Sequence, residues 1–229
     1  MGLDAQHRQL VNHRQLSPTV YLPQHFEQHD PALLGGLVQA HPLATLITPG
    51  EAGVCVDHIP LALDPQDGPC GTLVGHVARA NPLWKRAHGQ AVVAVFSGPQ
   101  VYITPSYYPS KVTTHKVVPT WNYSVVHAHG VLQAVEDAEW LHGLVSRLTQ
   151  QNEAGRNAPW AVTDAPPDYV QQMLRAIVGI RIPLTQLVGK WKVSQNRDVV
   201  DRRGVAQGLV ADGVAANHVH HLVLPTDPD

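Results

Sequence analysis

Three stretches of the 229-residue chain set hydrogen-bonding and charged side chains where an apolar run gives way to a turn. In Gly75-His76-Val77-Ala78-Arg79-Ala80-Asn81-Pro82-Leu83-Trp84-Lys85-Arg86, the backbone amides of such a turn, helped by Asn81, Lys85 and Arg86, form a cradle for a phosphate. The same residues also read as a solvated turn before a short helix, with Trp84 as a core plug. In Val118-Pro119-Thr120-Trp121-Asn122-Tyr123-Ser124, an aromatic, an amide, a phenol and a hydroxyl precede a strand. That mixture suits a flat cofactor, which needs an apolar face and a few fixed polar groups. It equally suits a strand entry with Trp121 buried and Asn122 satisfying a turn. In Lys190-Trp191-Lys192-Val193-Ser194-Gln195-Asn196-Arg197, Arg197 has the planar fork that pairs with phosphate or carboxylate, and Trp191 can wall a ring. A strand end with a solvated basic face is the alternative.

Fifteen histidines invite a metal site. His127 and His129 are two apart on one strand face, and His218, His220 and His221 cluster near the C-terminus. No HExxH or CxxC accompanies them, so no metal is expected, and the strand pair reads as the border of a pocket or of the surface. The chain has no GxSxG elbow, P-loop or strand-following GxGxxG, and Cys55, inside a strand run, reads as a small buried hydrophobe.

The elements that must position these residues follow from periodicity. Asp30-Pro31 is an N-cap and first-turn pair, and Leu33, Leu34, Leu37 and Val38 fall at helical spacing until His41-Pro42. Six strand-type runs follow up to about residue 135: LATLIT, GVCVDHIPLAL, GTLVGHVA, QAVVAVFSG, QVYITPSYY and NYSVVHAHGVLQAV. Their frequent turn signals indicate a barrel or sandwich. Helices are expected after Asp137 and after Asp164-Ala165-Pro166-Pro167, and GIRIPLTQLVGKWKVSQNR returns to the sheet. DVVDRRGVAQGLVA forms a last helix in spite of Gly204 and Gly208, each unfavourable by about 1 kcal/mol relative to Ala. The expected organisation is a flexible arm over residues 1–19, one domain over 20–212 and a tail over 213–229 that adds an edge strand or trails.

Composition bounds the function. Charged residues are 15% of the chain and the formal charge is −2, which leaves no global basic field for phosphate backbones, so charge gives no support to direct DNA binding. Two cysteines without a CxxC pair fit a reducing compartment, and no apolar run approaches the roughly 20 residues of a membrane helix. A cytoplasmic protein without a membrane segment is expected.

Taken in order, ATLIT, DHIPLAL, GHVARANPLWK, FSGPQVYITPSYYPSK, VPTWNY, HAHGVLQAVED, MLRAIVGIRI and KWKVSQNRDVVDR resemble the PaiB family of FMN-binding negative transcriptional regulators over residues 20 to about 210. The resemblance implies a mainly β fold with peripheral helices (α+β), a split β-barrel related to pyridoxamine-phosphate oxidase. It also implies a homodimer with FMN in the cleft between subunits. By the same resemblance, His58, His76, Asn81, Trp84 and Lys85 stand where split barrels hold the flavin phosphate and ribityl chain. Asn122 and Ser124 approach from the strand after VPTWNY, and Trp191 with Arg197 resembles the pair that closes over flavin in the oxidases. The paired basic residues that grip phosphate in the oxidases are not reproduced on DHIPLAL, and their substrate-phosphate residues have no match, so oxidation of pyridoxamine phosphate is not implied. The functions in competition are flavin-dependent redox chemistry, a cofactor-responsive repressor, and a haem-binding split barrel that uses His127, His129 or the C-terminal histidines as axial ligands.

Overall fold

The computed structural model describes residues 20–223; the arm expected over residues 1–19 and the tail from 224 onward lie outside the described residues. The Asp30 carboxylate accepts a hydrogen bond from the Ala32 amide at 2.8 Å, so α1 (Pro31–Ala40) begins at the Asp-Pro pair. Leu34, Leu37 and Val38 turn inward from it. Pro42 then disfavours helical backbone at His41 and the chain becomes extended.

Ahead of α1, the short β1 (Glu27–Gln28) follows a single helical turn. After it come β2 (Leu43–Gly50), β3 (Gly53–Pro60), β4 (Ala62–Asp64), β5 (Thr72–Ala78), β6 (Ala91–Ile103), β7 (Thr120–Val131), β8 (Gln133–Val135) and β9 (Ile177–Lys192). All pair antiparallel along the path β3-β2-β6-β7-β9-β5-β4, with β1 and β8 also bonded to β9. The 16-residue β9 is the hub: its first half pairs with β5 and β8, its second half with β7 and β1. The sheet curls but does not close by hydrogen bonds. At its seam β5 passes so near the end of β3 that a Cβ placed on Gly75 would lie 2.7 Å from the Pro60 carbonyl oxygen.

Six expected strands before residue 135 become seven described ones between β2 and β8, for identifiable reasons. GVCVDHIPLAL breaks at Leu61, whose amide turns away to the Pro42 carbonyl. QAVVAVFSG and QVYITPSYY are one strand, β6, because Ser97-Gly98-Pro99-Gln100 is a bulge in the pairing with β7 and not a turn. NYSVVHAHGVLQAV divides into β7 and β8 at Leu132, whose amide bonds Gln90.

Inward residues of the sheet, among them Leu46, Phe96, Leu73 and Ile180, form the main core with Leu34, Leu37 and Val38 of α1. The helices α2 (Leu83–Arg86), α3 (Lys111–Thr114), α4 (Ala138–Glu153) and α5 (Pro167–Arg175) are peripheral. A smaller core of Ile103, Tyr108, Val205, Leu209, Leu222 and Val223 packs under α6 (Val199–Ala211). Here the glycines have a purpose: a Cβ on Gly204 would strike the Tyr107 carbonyl and Pro109, and one on Gly208 the Tyr107 ring. Their lower helix propensity is offset by this close approach. The described part of the tail neither adds an edge strand nor trails. It forms the single turn α7 (Ala216–Val219) and buries Leu222 and Val223 in the second core.

Candidate functional site

Alternation along β7 sends Asn122, Ser124, Val126 and Ala128 inward and leaves Tyr123, Val125, His127 and His129 on the opposite face. Cross-strand register extends that face in rows. His127 lies opposite Val95 and Val188, Val95 opposite Thr45, and Thr45 opposite His58. In the next row His129, Val93, Ile47 and Val56 are successive partners. Val54 and Val56 at the β3 edge are 71% and 56% exposed, a large apolar exposure for adjacent strand positions. His127 and His129 are only half-buried on it, and the Nε2 atom of His129 is buried without a hydrogen-bond partner. Lys190, opposite Val125, and Lys192, opposite Tyr123, bring positive charge to this face; the Lys190 ammonium donates to the Tyr21 carbonyl at 2.9 Å and lies 5.6 Å from the centroids of the Tyr21 and Tyr123 rings.

The expected ligand-binding residues fall into three groups that one chain does not bring together. His58 belongs to the outward face, exposed on β3, three strand spacings from His127, roughly 14 Å. Asn81, Trp84 and Lys85 form the turn after β5: Asn81 accepts the Leu83 amide at 2.9 Å, and the Trp84 indole N–H donates to the Arg79 carbonyl at 3.0 Å. The Lys85 ammonium lies 4.9 Å from the Trp84 ring centroid. His76, on the same strand, borders a cleft beneath α1. The third group points inward. Asn122 is buried and donates to the Ser194 hydroxyl and the Leu222 carbonyl, both at 2.8 Å. Ser124 is buried against Gly98, and Trp191 packs on the core beside Gly189 and Leu34. Arg197 covers the Tyr108 ring at 4.7 Å. In that geometry Asn122 and Ser124 are buried at the barrel end, and Trp191 is partly buried against the core.

Sequence reasoning missed Thr45, Val95 and Val188, and it singled out the stretch that begins at Lys190 without giving Lys190 a contact of its own. The period-two pattern marked each strand's outward positions, but only register decides which of them share a row.

Arg86, read from sequence as part of a phosphate cradle, turns the other way. Its guanidinium donates to Asp57 at 3.1 Å and lies 3.4 Å from the Thr48 hydroxyl, tying α2 to the β2–β3 hairpin.

Burial holds the His76, His127 and His129 imidazoles below their ordinary basicity, and His129 and Lys190 push His127 further down. All three rings are therefore neutral at pH 7. In the unfolded chain they titrate near 6.5, so below that pH the unfolded state binds more protons than the folded one. Stability is thus full above about pH 6.5 and is lost as pH falls through the lower folded values. The thermal midpoint is expected to drop between pH 7 and pH 5, and His127→Asn combined with His129→Asn to flatten that drop. An unchanged slope in the double variant would contradict the assignment.

Among the described residues no group of three or more His, Cys, Asp and Glu side chains is placed to hold a metal ion. Residues 20–186 match the family described as "Putative FMN-binding domain". The chain belongs to the PaiB family of FMN-binding domains. FMN is the cofactor of that family. Relatives of the chain include an uncharacterized protein of Aspergillus fumigatus, 34% identical over 231 residues, covering 81% of this chain and 88% of its own. They also include the protease synthase and sporulation protein PAI 2 of Bacillus subtilis, 29% identical over 191 residues, covering 83% and 89%. Among solved structures, the flavocytochrome Anf3 of Azotobacter vinelandii aligns with a TM-score of 0.58 at 13% identity, over 93% of this chain and 89% of its own. The FAD and haem binding protein of Mycobacterium smegmatis aligns with a TM-score of 0.57 at 14% identity, over 82% and 80%. At such identities these likenesses speak to fold, and the PaiB chain is a split barrel: mostly antiparallel, with several helices and a sheet that stays open.

Proposed function

We propose that the protein is a cytoplasmic homodimer that holds FMN on the outward face of the β3-β2-β6-β7-β9 strands and acts as a cofactor-responsive negative transcriptional regulator. One observation carries the reading. His129 presents a buried, unpartnered ring nitrogen on an exposed apolar sheet face, beside His127, which in turn feels the Lys190 cation. A flat ring with hydrogen-bonding edges and an anionic tail answers all three needs.

The exposed Val54 and Val56 support the homodimer, because a second copy laid on that face would cover them and shield the ligand from water. It also accounts for the dispersed expected contacts, since His58 of one subunit and the Asn81–Lys85 turn of its partner can meet one ligand. The two free cysteines favour a reducing compartment, and no described helix is long and apolar enough to cross a membrane. Flavin supplies one- and two-electron redox chemistry when bound. The protein's part is to desolvate the ring on valines, keep the imidazoles neutral as acceptors or donors, and set Lys190 against negative charge. With a formal charge of −2, repression runs through the flavin-bound dimer and a partner more readily than through direct contact with phosphates.

Flavin fluorescence is expected to be quenched on titration with micromolar protein, and Lys190→Ala and His129→Ala each to weaken binding about tenfold, near 1.4 kcal/mol. Absence of quenching removes the flavin reading; quenching unaffected by both variants moves flavin off this face. A gel-shift series in which promoter DNA binds no better than random DNA leaves repression indirect.

The unpartnered neutral His129 ring also favours a second reading, haem ligation, since neutral imidazole is a natural axial ligand. A Soret shift on haemin titration, lost in His129→Ala, supports it, and an unshifted spectrum eliminates it.

A further inference from the structure

Beneath α1 lies a cleft of about 900 Å³ that the flavin face does not include. One wall is the Gly35-Gly36 face of α1, another the Leu61–Leu63 segment around β4, and a third the end of α4 with Trp160 at the rim. Its size is that of a small-molecule pocket.

The wall chemistry restricts the occupant. Among the described residues the lining contains no Lys or Arg, so a phosphate or carboxylate finds no counter-charge there. The only carboxylate in the lining, Glu153, is engaged by the Arg156 guanidinium at 2.9 Å and by the Trp160 backbone amide at 3.1 Å. His76, the sole imidazole among the described lining residues, stands exposed at the cleft edge with its basicity lowered by desolvation. Prolines 31, 42, 60 and 65 with Leu61 and Leu63 give flat hydrocarbon surfaces, and Trp160 is 48% exposed where a ring can stack on it. Gln39, Gln151 and Asn152 add uncharged hydrogen-bonding groups.

The glycine pair is the second, independent observation. Each glycine lowers helix stability by about 1 kcal/mol relative to alanine. Neither is needed for packing: a Cβ on Gly36 meets nothing within 4 Å, and one on Gly35 meets only Leu63, at an ordinary 3.8 Å. This contrasts with Gly204 and Gly208, where neighbouring atoms forbid a side chain. At α1 the missing side chains leave open space on the cleft wall.

We infer that this cleft is a binding site for a small, uncharged aromatic molecule, an effector site separate from the flavin. Its place between α1 and β4–β5 couples it to the seam of the barrel, where β5 meets the end of β3.

The test uses N-phenyl-1-naphthylamine, a neutral aromatic probe whose fluorescence rises on leaving water, with the full chain loaded with FMN. Saturable binding of one probe per chain is expected. Gly35→Phe, which fills the cleft against Leu63, should weaken it at least tenfold, and Trp160→Ala, a change at the half-exposed rim, at least threefold. Gly36→Ala should leave it within twofold. FMN affinity, measured in parallel by flavin fluorescence, is expected to be unchanged in all three, so loss of flavin binding and loss of probe binding are read separately. Absence of saturable binding, binding indifferent to both Gly35→Phe and Trp160→Ala, or displacement of the probe by FMN would each overturn the inference.

Discussion

Asn122→Ala is expected to destabilise the protein by about 3 kcal/mol and to loosen its C-terminal segment. The amide is 1% exposed and donates to the Ser194 hydroxyl and the Leu222 carbonyl, both at 2.8 Å. Removing it leaves two buried polar groups without their partner, each unfavourable by roughly 1–3 kcal/mol. Ser194 also stands at φ 66, a left-handed conformation that a non-glycine residue keeps only when its surroundings impose it. Leu222 and Val223 are the last described side chains of the second core, so the amide links β7 both to the turn after β9 and to the tail. Urea denaturation should show the lowered midpoint, and limited proteolysis should cut the variant near residues 213–223 first. If Asn122 served only as a flavin contact, FMN affinity would fall while the urea midpoint stayed in place. That pattern would overturn the structural role.

Gly75→Val is expected to have an effect at least as large, about 3 kcal/mol or more, through a different cause. A Cβ at this position lies 2.7 Å from the Pro60 carbonyl oxygen and 2.8 Å from Leu61 Cδ2, and the first of these is backbone that cannot rotate away. Overpacking of this kind typically destabilises by 1–3 kcal/mol, occasionally more, and valine adds two methyl groups to the clash. Gly75 pairs with Ile180 on the hub strand β9, so relief by moving β5 would disturb that ladder. For a domain of this size about 3 kcal/mol corresponds to a fall in thermal midpoint of roughly 6–12 °C, readable by circular dichroism. An unshifted midpoint would show that the seam between β3 and β5 is looser than the geometry requires.

These two residues mark how far the sequence could be read. GHVARANPLWK stood out because it combines a strand with a donor-rich turn, and the resemblance attached a phosphate role to it. Part of its character proves architectural: Gly75 admits Pro60, Asn81 and Trp84 brace the turn, and Arg86 reaches Asp57 and Thr48. Likewise VPTWNY was marked by its mixture of aromatic and amide, but the pleat alone cannot tell which alternate set meets the core. The face on which Asn122 falls depends on segments far along the chain, as its bond to Ser194, 72 residues on, shows.

Helix starts and family are legible in the chain's own residues. Asp30, Asp137 and Asp198 start α1, α4 and α6 as N-cap residues should, because capping is decided within a few residues. The short strand runs indicate a barrel or sandwich, since turn residues and alternation act locally too, and the family resemblance narrows this to a split barrel. Long-range pairing settles the rest. It joined two expected strands into β6 through a bulge, seated the described tail in a second core, and aligned His58, Thr45, Val95 and His127 across four strands. Each depends on pairing between distant segments, where register and packing volume are set by partners that local propensity does not specify.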